Sequence, residues 1–394
     1  FIDHQPCRGQ GDQTLILCVE AHYQSAVVRK LPLPLLFRPE PIQSNLIKLK
    51  AGAEVFRPQS AWGDHQFTNQ NGTAWATRLL TLPVRPPQRS MPQPYESGCD
   101  LNSPNRNLAP ITAELDDQGR LAVGGCVLSE LAERYGTPLY VLDEASIRKA
   151  CQAYRDALKR HYPGPSLAIY ASKANSSMAL TALVASEGLG LDAVSAGELM
   201  TALDGGMPAE RMVLHGNNKS VEELELAYRH DVMVVADNQH DLDCLQTIVP
   251  EGGRPVRLML RFTPGIECHT HEYIRTGHLD SKFGFDPDQL EPVLRKLQGC
   301  SWARVEGLHA HIGSQIFELE PHRDLAAVMA DALRLALELG HPVRDLNVGG
   351  GLGIRYVESD DPPSIDAWVK VVAEAVVTAC RERDLALPRL LWEP

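Results

Sequence analysis

Leu-Ala-Ile-Tyr-Ala-Ser-Lys-Ala-Asn, residues 167–175, is an apolar run of strand length that ends in a lysine. Burying an ammonium group is costly unless the charge is paired or neutralised, so a lysine beside such a run is unusual. Desolvation favours the neutral amine, whose lone pair can attack a carbonyl group. Lys173 is therefore a candidate Schiff-base lysine, although an isolated lysine at a strand end more often keeps its amine in water.

Beyond this stretch, short apolar runs alternate with helical segments. The pattern predicts strands at 167–172, 191–194, 212–215, 232–236, 256–262, 305–311, 345–348 and 389–392. It predicts helices at 178–187, 197–203, 221–229, 239–247, 287–297, 321–339 and 365–383. Ser195 and Ser220 each precede a glutamate by three residues, which is the spacing of a capping box. Strands separated by helices in this way predict a parallel sheet.

Reactive or glycine residues follow nearly every predicted strand. A closed barrel gathers all its strand ends on one face, whereas the alternative, an open doubly wound sheet, would scatter them. We therefore predict an α/β fold with a (β/α)8 TIM-like barrel. The strand-end residues are Lys173, Asp192, Ser195, His215, Asn217, Asp237, Arg261, His311, Gly349, Gly350, Gly351 and Glu393.

Composition narrows the class of protein. A net charge of −12 argues against a general nucleic-acid or acidic-membrane binder. No apolar run reaches the roughly 18 residues of a membrane helix, and no secretory signal is visible at the N-terminus. The nine cysteines include no Cys-x-x-Cys pair, which favours reduced thiols and a cytoplasmic location over a disulfide framework or a zinc site.

Three domains are predicted along the 394 residues. Residues 1–95 are rich in proline and weakly periodic, with hints of short elements only at 14–19 and 46–55, so we expect a low-order extension outside the functional unit. Residues 96–142 form a lead-in segment with a strand at 121–127, a helix at 127–135 and a strand at 138–142. The barrel takes 143–394, and Asp143 is the predicted N-cap of a helix that runs to residue 160.

Asn-Val-Gly-Gly-Gly-Leu-Gly, residues 347–353, follows the seventh predicted barrel strand. Successive glycines let backbone N–H groups approach an anion closely, which suits a phosphate. A tight strand-to-helix turn explains the same glycines equally well. The position after the seventh strand favours phosphate, because barrels commonly hold phosphate there.

Three further features allow more than one interpretation. His309 and His311 could be core histidines, a divalent metal pair, or an imidazole stacked on a flat cofactor ring. Glu393 could pair with an arginine, or with a pyridine nitrogen that it would keep protonated. The polar loops at 269–277 and 280–284 could be solvated, or could form a lid or substrate wall.

Taken together, these motifs closely resemble the diaminopimelate decarboxylases, pyridoxal-phosphate enzymes with an alanine-racemase-like barrel. The resemblance runs from about residue 102 to residue 394. Its His-Thr-His-x-Tyr-Ile loop favours this family over the ornithine and arginine decarboxylases. The matching stretches are Tyr-Ala-Ser-Lys-Ala-Asn (170–175), Gly-Leu-Asp-Ala-Val-Ser-Ala-Gly-Glu (190–198), His-Gly-Asn-Asn-Lys (215–219), Ser-Lys-Phe-Gly (281–284), His-Ala-His-Ile-Gly-Ser-Gln (309–315) and the three glycines at 349–351.

The resemblance implies a role for each matched residue. Lys173 carries the pyridoxal 5′-phosphate Schiff base, His311 stacks on the ring, and Glu393 pairs with the pyridine nitrogen. The phosphate is held by Ser314 with Gly349, Gly350 and Gly351. The reaction implied is decarboxylation of meso-2,6-diaminopimelate, a small amino acid, to L-lysine and carbon dioxide, the last step of lysine biosynthesis.

Two further strand-end residues are predicted to bind the cofactor, although their residue type and position point to this role less clearly. Asp192 and His215 are assigned to that set, although each could instead cap or support the structure. The family pattern continues after Glu-Pro with Gly-Arg and a C-terminal β-domain, whose proton donor serves the partner subunit of a homodimer. We therefore expect this chain to behave as a fragment with little or no turnover, and the strand near 121–126 to be left as an exposed edge.

The sequence leaves three alternative functions open. A metal-dependent barrel hydrolase would use His309 and His311, but it explains neither Lys173 nor the three glycines. A related ornithine- or arginine-type decarboxylase would keep the cofactor and change the substrate. A catalytically inactive barrel would bind pyridoxal phosphate or a partner protein without turnover.

Overall fold

The computed structural model describes residues 108–266, 282–356 and 359–394, together with four short strands nearer the N-terminus. The chain divides into two compact units, one combining Phe1–Gln93 with Thr112–Glu144 and the other combining Pro94–Ile111 with Ala145–Pro394. The predicted element at 46–55 and the loop at 269–277 lie outside the described residues. The low degree of order expected for residues 1–95 also remains a prediction.

Among its described residues, the first unit contains small antiparallel sheets and one helix. β1 (Leu15–Cys18) pairs with β4 (Thr81–Leu82) and with β8 (Tyr140–Asp143), while β2 (Phe67–Thr68) pairs with β3 (Ala74–Trp75). β5 (Glu114–Leu115), β6 (Leu121–Val123) and β7 (Cys126–Val127) form a three-stranded sheet that leads into helix α1 (Leu128–Tyr135).

The strand predicted at 121–127 is a hairpin, so that prediction was wrong in detail. Gly124 and Gly125 both have positive φ, at 58° and 75°, and reverse the chain between β6 and β7. Two adjacent residues of positive φ are what a tight hairpin turn requires, and glycine adopts them without strain. β6 is the central strand of its sheet rather than the exposed edge that was expected.

The second unit is a closed barrel, which confirms the predicted fold and excludes the open sheet. The strands are β9 (Ser166–Ala171), β10 (Gly190–Ala193), β11 (Met212–Leu214), β12 (Met233–Ala236), β13 (Val256–Arg261), β14 (Ala303–His309), β15 (Asp345–Asn347) and β16 (Arg389–Trp392). All neighbours are parallel, and β16 closes the ring on β9.

The barrel helices cover the outside of the ring. They are α2 (Glu144–His161), α3 (Met178–Ser186), α4 (Ala196–Asp204), α5 (Val221–His230), α6 (Gln239–Ile248), α7 (Pro287–Leu297), α8 (Glu320–Glu338) and α9 (Ile365–Glu382). Within this part of the chain, no helix combines the length and apolar character needed to cross a membrane. The ring interior is filled by Ile169, Val213, Met233, Val235, Met259 and Leu391.

One of the two predicted capping boxes forms. Ser220 and Glu223 exchange both hydrogen bonds at the start of α5. Ser195 accepts from the Glu198 amide at the start of α4, but the Glu198 carboxylate accepts instead from the Val194 amide and lies 3.0 Å from the Ser172 hydroxyl. That carboxylate therefore fixes the turn that carries Lys173, because Ser172 is the residue before it.

A buried carboxylate stabilises the amino-terminal end of the barrel. Glu306 on β14 is almost fully buried, and its Oε2 lies 3.1 Å from Arg257 and 2.9 Å from Arg344; Arg304 pairs with the other oxygen. Although burial opposes ionisation, the three guanidinium groups, Arg257 foremost, hold the pKa of Glu306 below its ordinary value of 4.5. Arg257 is itself buried, so it depends on this negative charge.

Glu306→Gln should lower the free energy of unfolding by about 2–4 kcal/mol at pH 7, since it leaves Arg257 buried without its anion. A carboxylate of depressed pKa contributes stability above its unfolded-state pKa, and this is lost as pH falls through the folded-state pKa. The difference from wild type should therefore shrink as pH falls below 4.5. Thermal and urea unfolding measure it. Glu291→Gln, which breaks an exposed pair with Arg295, is the control and should cost no more than about 0.5 kcal/mol.

Candidate active site

Lys173 lies at the carboxyl end of the first barrel strand. β9 ends at Ala171, and Ser172–Ala174 form a single 3-10 turn. Ser172 is buried, and its hydroxyl donates to the Asp192 carbonyl oxygen at 2.7 Å. Lys173 itself is exposed. The described residues therefore do not bury its amine, although burial was the reason for expecting a neutral, reactive lysine here.

The positive charge of Lys173 nevertheless affects the pKa values of two residues at the strand ends, Asp192 and His311. Burial raises the pKa of Asp192 to about 6, and the positive charges of His215 and Lys173 oppose that rise. Lys173 also contributes to lowering the pKa of His311. The amine therefore lies close enough to these two residues to act on them, at the face of the barrel where the strands end.

The centre of the site is the carboxylate of Glu393, held between two histidines. His215 donates through Nε2 to Glu393 Oε1 at 2.8 Å, and His309 Nε2 lies 3.3 Å from Oε2. Asn347 Nδ2 donates to Oε1 at 2.6 Å. The imidazole rings of His215 and His309 meet edge to face at 4.7 Å between centroids. Strands β11, β14 and β15 thus all converge on the residue that follows β16.

Electrostatics keep Glu393 ionised. Although burial opposes its charge, the charged imidazole of His215 foremost, with the His309 Nε2 contact at 3.3 Å, holds the pKa of Glu393 well below the ordinary value of 4.5. Burial also works against the charge of His215, yet Glu393 and Asp192 raise its pKa above the ordinary value of 6.5. Burial lowers the pKa of His309 to about 3, so this imidazole is neutral. Near pH 6 the site therefore combines the ionised Glu393 and a partly ionised Asp192 with one charged and one neutral imidazole.

His311 lies just past the end of β14, beside the glycine loop. Burial, together with the charge of Arg261, holds the pKa of His311 well below the ordinary value of 6.5. Its Nδ1 accepts a hydrogen bond from the Gly350 amide at 3.2 Å. The ring is therefore neutral and held in orientation by the backbone of the loop.

The three glycines after β15 leave no space for side chains. A Cβ at Gly349 would lie 2.8 Å from the Ala310 carbonyl oxygen, and one at Gly351 would lie 2.6 Å from that of Gly313. A Cβ at Gly350 would overlap the carbonyl oxygen of Glu393. Gly349 and Gly351 also have φ of 66° and 119°. Glycine is needed here because backbone approaches backbone, as in loops that hold phosphate.

Two loops pair alongside this glycine run. The Ile316 amide donates to the Gly351 carbonyl oxygen at 2.9 Å, and the Gly353 amide donates to the Ile316 carbonyl oxygen at 2.9 Å. Gln315 adds a side-chain bond, since its Oε1 accepts from the Ile354 amide at 3.0 Å. The segment after β14 and the segment after β15 are therefore held side by side. Ser314 lies between His311 and this pairing and is exposed.

Gly350→Ala should prevent the site from forming correctly. The added methyl group meets the backbone of Glu393 rather than a flexible side chain, so relief requires the glycine loop or the end of β16 to move. We expect a loss of about 1–3 kcal/mol in the free energy of unfolding, together with loss of cofactor retention. Equilibrium unfolding and absorbance after gel filtration with pyridoxal 5′-phosphate measure the two effects.

Gly197→Ala provides the control for that substitution. Gly197 lies in the first turn of α4, where an added Cβ would meet only Ser195 Oγ at 3.9 Å. Alanine there should leave the free energy of unfolding unchanged or raise it by up to about 1 kcal/mol. If Gly350→Ala behaves like this control, the close-packed loop described above is not required.

A second charged network borders the site. Lys219 and Asp241 form a buried ion pair at 2.7 Å, and the Asp241 carboxylate also accepts from the Asp237 amide at 3.0 Å. Arg261, at the end of β13, lies 3.7 Å from the Asp237 carboxylate and stacks over the Phe283 ring at 4.4 Å. Arg261 thus directs a positive charge toward the ring of strand ends, where it lowers the pKa of His311.

Most of the residues around the strand ends were predicted from the sequence, and one of them, Asn347, was not. Asp192, His215, His311 and Glu393 lie together around the strand ends, and the loops that carry Ser314 and Gly349–Gly351 pair beside them. Asn347 was not singled out, although an asparagine two residues before a glycine is a recognisable Asx-turn signal. His309, which was paired with His311 as a metal site, instead faces His215 and Glu393.

Metal ligation is chemically possible at one cluster of the described residues. His215, His309 and Glu393 bring one ligand atom each within 4.8 Å of one another. His311 is not part of that cluster. A metal bound here would therefore be held by His215, His309 and Glu393, and not by the predicted pair of His309 and His311.

The comparison with known families assigns the class of protein. A model described as "Pyridoxal-dependent decarboxylase, pyridoxal binding domain" matches residues 144–394, which is the barrel. The fold and this match define the barrel as the pyridoxal-binding domain of the pyridoxal-dependent decarboxylases.

Individual relatives agree with this class. The chain is 50% identical over 300 residues to the diaminopimelate decarboxylase of Synechocystis sp., covering 74% of this chain and 64% of that protein. It is 41% identical over 294 residues to that of Bacillus subtilis, covering 72% and 65%. The chain thus spans less than two thirds of the length of these curated relatives. It belongs to the pyridoxal-dependent decarboxylase family.

Solved structures give the same result for the fold. The diaminopimelate decarboxylase of M. jannaschii in complex with L-lysine matches with a TM-score of 0.65 at 31% identity, covering 72% of this chain and 66% of that one. The Helicobacter pylori enzyme complexed with L-lysine matches with a TM-score of 0.61 at 30% identity, covering 68% and 65%.

Proposed function

We propose that this protein decarboxylates meso-2,6-diaminopimelate to L-lysine and carbon dioxide with pyridoxal 5′-phosphate bound at Lys173. The observation that carries the proposal is the ionised, buried Glu393 on the same barrel face as Lys173 and the glycine loop. The relatives and solved structures named above support the choice of substrate, since they are diaminopimelate decarboxylases and two of the structures contain L-lysine.

The residues present fit this cofactor on three counts. The glycine loop has no room for a Cβ and offers backbone to a phosphate, with the Ser314 hydroxyl beside it. Glu393 is a buried anion that could pair with a protonated pyridine nitrogen, and its Oε2 can accept a hydrogen bond in addition to the His309 contact. Asp192 Oδ1 is buried without a hydrogen-bond partner among the described residues, so it can also serve a ligand group.

Bound pyridoxal phosphate supplies an electron sink for the electron pair left behind when the carboxylate departs. Glu393 would hold a proton at the ring nitrogen, and His215 keeps that carboxylate ionised by hydrogen bonding to it. His311 is neutral, so beside the ring it would add no positive charge to repel a protonated nitrogen. Lys173 would supply the amine that binds the cofactor aldehyde.

Substrate selection tests this proposal. Protein expressed from the whole gene, through to its stop codon, is incubated with pyridoxal 5′-phosphate and either meso-2,6-diaminopimelate, ornithine or arginine, and carbon dioxide and amine products are measured. Release of lysine from diaminopimelate, in excess over the other two substrates, is expected. Preference for ornithine or arginine would replace the proposed substrate with that of a related decarboxylase. Cofactor binding with no carbon dioxide from any substrate would contradict the catalytic part of the proposal.

A metal-dependent reaction is the second candidate, because His215, His309 and Glu393 could ligate an ion. The Asn347 Nδ2 group donates to the same carboxylate, which favours an anion that accepts hydrogen bonds over a metal ligand. Zinc-dependent hydrolysis that persists without pyridoxal phosphate would support this second candidate.

Several further expectations belong to the proposal. The functional form is a homodimer in the cytoplasm, and neither nucleic acid nor a membrane is a partner. The functional unit is the barrel of residues 143–394 with the lead-in segment of residues 96–142, and residues 1–95 are dispensable. Deleting residues 1–90 should leave the thermal unfolding of the barrel unchanged, and a large loss of stability would refute this division.

A further inference from the structure

Asn347 connects two parts of the site that lie on different strands. It is the last residue of β15 and is fully buried. Its Oδ1 accepts from the Gly349 amide at 2.9 Å, and its Nδ2 donates to Glu393 Oε1 at 2.6 Å. One side chain therefore contacts both the first glycine of the phosphate-type loop and the carboxylate at the centre of the ring.

The orientation of this amide is determined by its two partners. The Gly349 amide can only donate and the ionised Glu393 carboxylate can only accept. If the amide were turned over, Nδ2 would face the Gly349 N–H group and Oδ1 would face the carboxylate, and both contacts would be repulsive. The oxygen must therefore face the loop and the nitrogen must face Glu393.

The bond to Gly349 fixes the shape of the glycine loop. A side-chain oxygen that accepts from the amide two residues on forms an Asx turn, which stabilises a backbone reversal. Gly349 follows at a φ of 66°, so the turn sets the direction in which Gly350 and Gly351 leave the strand. The Glu393 amide also donates to the Gly349 carbonyl oxygen at 2.8 Å, which ties the loop to β16 a second time.

The bond to Glu393 fixes which way the carboxylate points. With Oε1 occupied by Asn347 and His215, Oε2 is the oxygen that retains capacity for another donor beside His309 Nε2, which lies 3.3 Å away. We infer that Asn347 is a positioning residue that sets the distance and orientation between the phosphate-holding loop and the carboxylate that pairs with the ring nitrogen. This inference rests on the proposed cofactor chemistry and adds a residue that acts through Gly349 and Glu393 rather than touching the cofactor.

Asn347→Asp is the informative variant, because aspartate has the same shape and still accepts from Gly349 but cannot donate to Glu393. Two carboxylates then lie within hydrogen-bond distance, and like charges raise the affinity of the pair for one proton. We expect the dissociation constant of pyridoxal 5′-phosphate to increase about 10- to 100-fold at pH 8, and part of this loss to be recovered as pH falls. The other ionisable groups around the pair are Asp192, His215, Arg261, His309 and His311.

Asp345→Asn is the matched control. Asp345 is equally buried at the opposite end of the same strand, where it pairs with Arg389. The control should lower the melting temperature while leaving the cofactor dissociation constant and its pH dependence unchanged. If Asp345→Asn weakens cofactor binding as much as Asn347→Asp does, the effect belongs to the stability of β15 and the inference is wrong.

A measurement without cofactor separates this inference from the proposed function. The extra negative charge of Asn347→Asp should raise the pKa of His215, which NMR of isotope-labelled histidine can follow in the cofactor-free chain.

The outcomes are distinguishable. Wild-type protein that binds no pyridoxal phosphate, with the His215 shift observed in Asn347→Asp, contradicts the proposed function and leaves the role of Asn347 toward Glu393 intact. An unchanged His215 pKa in Asn347→Asp overturns the inference, whatever the cofactor does. Wild-type cofactor affinity at all pH values in Asn347→Asp also overturns it.

Discussion

Replacing Lys173 with alanine is expected to abolish covalent attachment of pyridoxal 5′-phosphate, because no other amine follows β9 at this position. In protein expressed from the whole gene it should also lower decarboxylation by at least about 10³-fold. Absorbance of the bound cofactor, and peptide mass spectrometry after borohydride reduction, measure the attachment. In wild-type protein the added mass should lie on the peptide that contains Lys173. Since this lysine is exposed, alanine should leave the thermal unfolding of the cofactor-free protein unchanged.

Lys296→Ala is the control for that result. Lys296 is an exposed lysine on α7, paired only loosely with Asp243 at 3.6 Å. Its loss should change neither the absorbance nor the modified peptide. Undiminished cofactor attachment in Lys173→Ala, or mass added at a different lysine of the wild-type protein, would remove the central residue of the proposed mechanism.

Glu393→Gln is expected to have the second largest effect, and to affect both rate and stability. Glutamine cannot hold a proton at the ring nitrogen as an anion does, so decarboxylation should fall by about 10²-fold or more. It also leaves His215 buried without its negative partner. We expect the free energy of unfolding of the cofactor-free protein to fall by about 2–4 kcal/mol near pH 6.

The pH dependence of that stability loss follows from the two pKa shifts. Glu393 has a depressed pKa, so its contribution is present above 4.5 and is lost as pH falls through the folded-state pKa. His215 has a raised pKa, so its contribution is present below 6.5 and is lost as pH rises through the folded-state pKa. The difference between wild type and Glu393→Gln should therefore be largest between about pH 4.5 and 6.5.

Urea unfolding at a series of pH values measures this window. Glu338→Gln, on the exposed end of α8, is the control and should change stability by no more than about 0.5 kcal/mol at any pH. A stability difference for Glu393→Gln that grows steadily above pH 7 would mean that His215 is not the partner described here.

Much of the fold was predictable because it depends on local chemistry. The apolar runs and helix starts of the barrel are set by side-chain periodicity and capping. Seven of the eight predicted strands begin and end within one residue of the observed strands. The exception is β14, which begins at Ala303 and ends at His309, in each case two residues earlier than predicted. The hairpin at Gly124–Gly125 was missed because two glycines in a short apolar run were read as part of one strand.

The candidate site was likewise predictable in part. The type and order of the chemical groups, from Lys173 through His311 to Glu393, come from the sequence, since each follows a strand and all strand ends of a barrel share one face. Which groups touch was not predictable. The pairing of Glu393 with His215 joins residues 178 positions apart, and that of Asn347 with Glu393 joins β15 to the end of β16.

The sequence by itself determined that eight strands alternate with helices and that a lysine, imidazoles, glycines and a carboxylate follow those strands. Only the tertiary structure decided that Lys173 is exposed, that His309 faces Glu393 rather than sharing a metal with His311, and that Asn347 joins the glycine loop to the carboxylate. The physical reason is that burial and the pKa of a buried group depend on neighbours from distant strands, and closure of the ring is what brings those neighbours together.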